Sequence, residues 1–476
     1  MKKIFFAALG LAVFAVSCKK DIDADVKKEL VNGGGSGVDT LVGEITVNTT
    51  VTRTTYLKGI VYVKPGITLT VNAGVTIKGS PGAIVPDTIN LAVNKGTLVV
   101  ERGGKLVANG TPTSPIVWTS AQPAGSRNYG DWGGVVIFGK APIKTSTGAA
   151  TNFYEAFPQS DARNYYGGTD PNDNSGSITY NRLEFGGGII LKPNQEVNGL
   201  TFCGAGKGTV AHHIEVANNG DDGFEFFGGT INLHHLLSYS NKDDDFDFDE
   251  GYNGNLQFII AYRSNLCDNS GSEMIELDNN ATSTDFATHT NPTIANATLV
   301  GPHSLVARPG SGGRFDGAVY VRRAGRIKLA NSLIIGDSLP TALAFTPTTR
   351  NNIDGIAGAV DPSYIRYNLF QTYAAIPVIW DNDESNQIVD GTATAAPDNA
   401  LIAVLGDGTQ LNSALATPAD FKLDGTLKPI AGSPALSGGV SLTFLDPFFV
   451  STTQRGAVLT SDVWTATGTW ISIATN

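Results

Sequence analysis

Between Asn219 and Asp278 the chain reads NGDDGFEFFGG, then NKDDDFDFDEG, then SGSEMIELDNN. Carboxylates this dense hold a cation, work as acid and base on a substrate, or face water. Phe224-Glu225-Phe226 returns as Phe246-Asp247-Phe248 after 22 residues and as Ile275-Glu276-Leu277 after a further 29. If the copies stack in register, Glu225, Asp247 and Glu276 form one outward column, and Phe227, Asp249 and Asp278 form a second. A later segment, Val319-Tyr320-Val321-Arg322, adds Tyr320 and Arg322. Like charges stacked about 5 Å apart raise one another's pKa or recruit a cation. Calcium takes oxygen ligands, which makes Asp247, Asp249, Glu276 and Asp278 the candidate metal set. The competing expectation is a solvated acidic face, in which Asp221, Asp222 and Asp243 to Asp245 shape turns beside Lys242 and Arg263.

Phe227 and Tyr252 are the aromatics expected near a sugar ring. With Glu225, Asp247, Asp249, Glu276 and Asp278 they make up a candidate ligand-binding face. Phe224, Phe226, Phe246 and Phe248 read as core. The histidines repeat at the same step: His212-His213 and His234-His235 are 22 residues apart. Stacked, they would offer nitrogens to a transition metal with Glu215 as a third ligand, or form a polar ladder at a turn. Asp170 and Asp173 read as an Asx-turn cluster or a second calcium site. No nucleophile-elbow, P-loop or dinucleotide-binding glycine pattern is present.

These residues must sit on short strands. Each copy alternates apolar and acidic, the period-2 pattern of a strand with one buried face. Repetition near 22 residues marks a solenoid. The 476 residues include 56 Gly and 2 Met, with 16% charged residues. Val, Ile, Thr, Asn and Gly dominate, favouring strands and turns over helices. A net charge of −11 argues against a nucleic-acid partner, since phosphates need a basic face. Alternating segments closed by Gly or Asn corners are the grammar of a right-handed parallel β-helix. Residues 42–476 are assigned to it, with insertions near 141–176 and 338–420. About 14 to 19 rungs, or fewer once loops are removed, predict a rod of about 60–80 Å. Trp464 and Trp470 are expected to cap its open core. Cys203 and Cys267, 64 residues apart, stand about three rungs from each other, too far for a disulfide unless a loop folds back.

The run GTLVVERGGKLVANGTPTSPIVWTS with GDWGGVVIFG, within residues 57–140, closely resembles the opening rungs of secreted bacterial β-helix proteins of the pectin-lyase-like superfamily. The resemblance implies that fold. Many of its enzymes cleave or epimerise acidic polysaccharides. A lyase of that kind needs calcium to neutralise a uronate and a base to take its C5 proton, roles that would fall to the carboxylates above and to Arg322 or Arg323. No diagnostic lyase, epimerase or polygalacturonase motif accompanies them, and fold alone does not give function.

Residues 1–17 read as a secretion signal, and Ala15-Val16-Ser17-Cys18 resembles the lipobox of bacterial lipoproteins. That implies acylation of Cys18 and a lipid anchor in the outer membrane. Lys19-Lys20-Asp21-Ile22-Asp23 is similar to the surface-export signal of Bacteroidota lipoproteins, and 18–41 read as a lipidated cysteine plus flexible tether. The function expected first is a surface rod that binds a glycan or a partner protein without catalysis. A calcium-dependent polysaccharide lyase, or an accessory lipoprotein of an outer-membrane transporter, are the alternatives.

Overall fold

The computed structural model describes residues 39–82, 84–86, 91–192, 195–264, 266–267, 271–280, 288–302, 315–336, 341–372, 378–380, 399–466, 468 and 470–472. Cys18, the signal segment and nearly all of the tether lie outside them. Among the described residues, no helix is long and apolar enough to cross a membrane.

The chain winds into parallel strands joined in one 26-stranded hydrogen-bonded network, which register divides into three faces. On the first, each residue of the series Glu44, Tyr62, Val99, Val136, Thr201, Glu225, Asp247, Glu276, Tyr320, Ala344 and Ile379 is the register partner of the next. That column counts eleven rungs, a stack of about 50 Å at about 4.8 Å per rung. It is shorter than composition suggested, because two long segments lie outside the coil. The second face stacks Ala108, Ile178, Ala211, Leu233, Leu256, Ile294 and Leu329 inward. The third stacks Ile77, Trp118, Leu183, Val216, Ser238 and Ala261.

The core follows from this register. Phe224 lies parallel over Phe246 at 5.1 Å, and Phe226 over Phe248 at 4.9 Å between ring centroids. These offset aromatic stacks supply area and about 0.5–1.5 kcal/mol each beyond it. At the corner between the second and third faces, single non-glycine residues turn the chain: Tyr180, His213, His235, Phe258, Asn296 and Asn331 all have φ between 52° and 60°. Such a conformation is costly for these residues, and ring stacking along the corner offsets part of that cost.

Three features depart from the sequence expectations. Residues 338–420 were expected to be an insertion, yet Leu343–Phe345, Tyr364–Arg366 and Leu369–Thr372 continue the rungs. The helix Asn399–Leu405 then inserts Leu401 and Leu405 into the core. That helix, rather than Trp464 and Trp470, covers the end of the core. Among its described residues, the segment from Phe421 onward forms no rung. It runs back along the outside of the third face as a strap: Val440 N donates to Asn331 Oδ1 at 2.9 Å, Ala457 N to Thr298 Oγ1 at 2.8 Å, and Ser472 N to Glu215 Oε2 at 2.6 Å. Trp464 and Trp470 pack under it against Leu237 and Ile260. Those outward apolar residues need a cover, and the strap is that cover.

The 141–176 insertion roofs the first face. Its antiparallel pair, Thr151–Phe153 with Tyr165–Gly167, carries Tyr154 and Tyr166 onto Phe138, Cys203 and Phe227. Glu250 anchors it, accepting from Asn152 Nδ2 and from Tyr166 Oη, both at 2.7 Å. Cys203 and Cys267 are buried thiols and form no disulfide.

Candidate functional site

The acidic columns form in the expected register. Glu225, Asp247 and Glu276 are consecutive partners on the first face. Phe227 pairs with Asp249, and Asp278 N donates to Phe248 O at 2.9 Å, which carries the second column on. Tyr320 pairs with Glu276, and Arg322 N donates to Leu277 O at 2.9 Å, so both enter as the next rung.

A third acidic column stands at the strand entry, and its residues are the ones the sequence reading left out or assigned only to turns. Asp222 N donates to Asn198 Oδ1 at 3.2 Å, Asp244 N to Asp222 Oδ1 at 2.8 Å, and Glu273 N to Asp244 Oδ1 at 2.5 Å. Each side chain thus satisfies the backbone of the following rung, the local bonding that favours Asn and Asp at turns. The same steps of 22 and 29 residues would have found Glu273.

Together these columns bring carboxylate oxygens within 4.8 Å of one another in three groups: Asp221, Asp222 and Asp243; Asp222, Glu225 and Asp247; and Asp244, Glu273 and Glu276. The expected calcium set is therefore split. Asp247 and Glu276 enter separate groups. Asp249 turns to the backbone, its Oδ1 accepting from Glu250 N at 2.6 Å. Asp278 is clamped by two guanidinium groups: Arg322 Nε stands 2.8 Å from its Oδ1, and Arg323 Nη1 2.6 Å from its Oδ2. Arg322 also pairs with Glu276. Asp170 and Asp173 belong to none of these groups. Asp170 Oδ1 accepts from Asn172 N at 3.0 Å, an Asx turn.

Both expected sugar-facing aromatics are corrected. Tyr252 is wholly buried, stacks on Phe248, packs at a tilt against Phe226, and donates its hydroxyl to Ile231 O at 2.7 Å. Phe227 is covered by Tyr154 and Tyr166 of the roof, with ring centroids 5.7 and 6.2 Å away. Period-2 reasoning put Phe227 outward correctly but had no means of seeing an insertion fold back over it.

Burial shapes the electrostatics. It drives the Glu225 carboxyl well above its ordinary range, and the charge of Asp247 adds to the push. Asp247 rises likewise, by burial and then by Asp244 and Asp249. Asp278 rises by burial and by Asp249, although Arg323 opposes the shift. At neutral pH Glu225 and Asp247 keep their protons or share a cation, while the two guanidinium groups bonded to Asp278 keep it charged. Asp247 Oδ1 is buried with no hydrogen-bond partner among the described residues. An all-oxygen donor set with an orphaned acceptor fits calcium.

This is a carboxylate-lined face of a parallel β-helix with two arginines at its end. The profile of a family described as a pectate-lyase-like β-helix domain matches residues 43–399, and the chain belongs to that family. No curated protein and no solved structure matches it.

Proposed function

We propose that this chain is a non-catalytic, lipid-anchored surface rod. In this reading the first face, from Glu225 to Asp278, takes a calcium ion and, through it, an acidic glycan or a carboxylate-bearing partner protein. The observation that carries it is the double clamp on Asp278. Both arginines placed to act as a base are ion-paired there, and a paired guanidinium stays protonated. Bound calcium would supply positive charge to the ligand. Asp222, Glu225 and Asp247 would hold it, while Arg322 and Arg323 keep Asp278 oriented. The anchor rests on Cys18 and its flanking residues, and protease shaving of intact cells tests surface display; full protection refutes it.

Calcium-dependent polysaccharide cleavage is the second reading, and one observation favours it. Burial, together with the neighbouring Arg323 charge, lowers the Arg322 pKa, the direction a general base requires. Incubation with uronate polymers separates the two readings. Calcium-dependent retention on the polymer without unsaturated product supports binding. Growth of unsaturated-product absorbance, abolished by EDTA and by Arg322→Ala, establishes the lyase instead.

A further inference from the structure

The four histidines lie at a corner away from the acidic face, and the proposed function makes no use of them. His212 and His234 are register partners, with rings stacked at 4.8 Å and 12°. His213 and His235 stack at 4.4 Å and 4°. Successive strand residues ordinarily point to opposite sides. The left-handed φ of 54° at His213 and 57° at His235 breaks that alternation. Both imidazoles of each pair therefore meet: Nδ1 of His212 lies 2.9 Å from Nδ1 of His213, and Nδ1 of His234 lies 2.6 Å from Nδ1 of His235. Ring nitrogens of His213, His234 and His235 all fall within 4.8 Å of one another.

The surroundings set the tautomer. Asp462 Oδ2 stands 3.1 Å from His235 Nε2. A carboxylate accepts, so Nε2 carries the hydrogen and the lone pair sits on Nδ1, facing the other rings. A carboxylate on the remote nitrogen is the arrangement that orients metal-ligating histidines. Tyr180 stacks on His213 at 4.4 Å, and Trp464 stands edge-on to His235 at 5.3 Å, so the rim is aromatic.

We infer that this cluster binds one divalent transition metal of the zinc class through His213, His234 and His235, with His212 as the fourth ligand. Imidazole nitrogens select zinc, nickel or copper over calcium. Zinc–nitrogen bonds of about 2.0–2.1 Å place two tetrahedral ligands about 3.3 Å apart. Each pair therefore opens by roughly half an ångström, and the hydrogen that bridged the two Nδ1 atoms moves to the Nε2 of its own ring. With four protein ligands the site is closed and structural. It ties two rungs to the strap through Asp462.

The full chain, stripped with a chelator and titrated with Zn²⁺ alone, tests this. One equivalent should bind and raise the melting temperature. Co²⁺ in its place should give the intense visible absorption of a tetrahedral nitrogen site. Asp462→Asn should weaken Zn²⁺ binding about 10–100-fold. His213→Ala combined with His234→Ala should abolish it, while Glu276→Gln leaves it unchanged. Substoichiometric Zn²⁺, a weak octahedral Co²⁺ spectrum in the unmodified chain, or full binding by the double variant would each overturn the inference. The Co²⁺ spectrum needs no variant, so a folding defect in the substituted chains does not obscure the result.

Discussion

Asp462 and His235 touch across 227 residues of sequence, with Oδ2 3.1 Å from Nε2. Their contact lies where the strap crosses the histidine corner, and Trp464 holds it there. Its Nε1 donates to Ala457 O at 2.7 Å, and the ring stacks on Trp470 at 5.7 Å. Trp464→Ala should cost about 3–5 kcal/mol, as expected for a large buried ring. A denaturant titration followed by limited proteolysis checks it: the midpoint falls and cleavage appears between residues 421 and 472. An unchanged midpoint would show that the strap contributes nothing.

Two buried clusters pull stability in opposite directions with pH. Burial lifts the Glu250 carboxyl to about 7 from an ordinary 4.5, and Asp244 and Asp245 to about 6 from 3.8. Raised acids contribute fully below their unfolded values, near pH 4, and lose that contribution as pH climbs through about 6 to 7. The histidines do the reverse. Their contribution is present above 6.5 and fades as pH falls toward 4 and below. Five raised acids (Glu225, Asp247, Asp244, Asp245 and Glu250) outweigh the three histidines between about pH 4 and 6.5, so metal-free protein should be most stable near about pH 4 to 5 and lose stability toward pH 8. Calcium should flatten the alkaline limb and leave the acid limb in place. Melting temperatures from pH 4.5 to 8 that rise without a maximum contradict this account.

Asp278 is the hinge of the arginine clamp. Asp278→Asn removes the partner of two guanidinium groups whose side chains are 14% and 25% exposed. Breaking a buried pair on one side costs about 3–5 kcal/mol, and the partial exposure here places the expected loss near the lower end. Chemical denaturation measures it. Replacing Asp278, Glu276 and Arg322 together by Asn, Gln and Met should recover part of the stability, since the Asp278–Arg322 and Glu276–Arg322 pairs are then removed on both sides. Failure of that triple variant to recover would assign the loss to something other than the charges.

Phe226→Ala tests the core stack. Phe226 sits between Phe202 at 5.7 Å and Phe248 at 4.9 Å and has no solvent exposure. Truncation should cost about 3–5 kcal/mol through lost burial and the cavity left behind. Phe444→Ala, at a residue 74% exposed, should change stability by less than about 0.5 kcal/mol.

Fold and register were readable because both are periodic. The 22-residue step placed Glu225 under Asp247, and the alternation placed Phe226 inward. Neither signal depends on distant sequence. Tyr252 was misjudged because it follows the strand, at a corner where period-2 reasoning does not apply; the chain turns it inward to Ile231 O. Phe227 was misjudged because its cover, Tyr154 and Tyr166, comes from an insertion with no repeat of its own. Glu273 was missed although the 29-residue step that places Glu276 beside Asp247 also places it beside Asp244, because Asp244 was read only as a turn residue. Trp464 and Trp470 were seen as covers, but sequence distance carried no sign of which surface they cover.

A plain solenoid assembles in any order, since each rung answers only to its neighbours. The strap changes that. Asn296 Nδ2 reaches Gln454 O across 158 residues, and Ser472 N reaches Glu215 across 257. Neither bond can form until the intervening rungs exist in correct register. Strap docking is thus a late step that reports on everything before it: a stack slipped by one rung presents Asn296, Thr298 and Glu215 at the wrong height and leaves the strap undocked. The strap, made after the rungs it binds, works as their inspector, and a misregistered rod is expected to stay open to proteases until it rewinds.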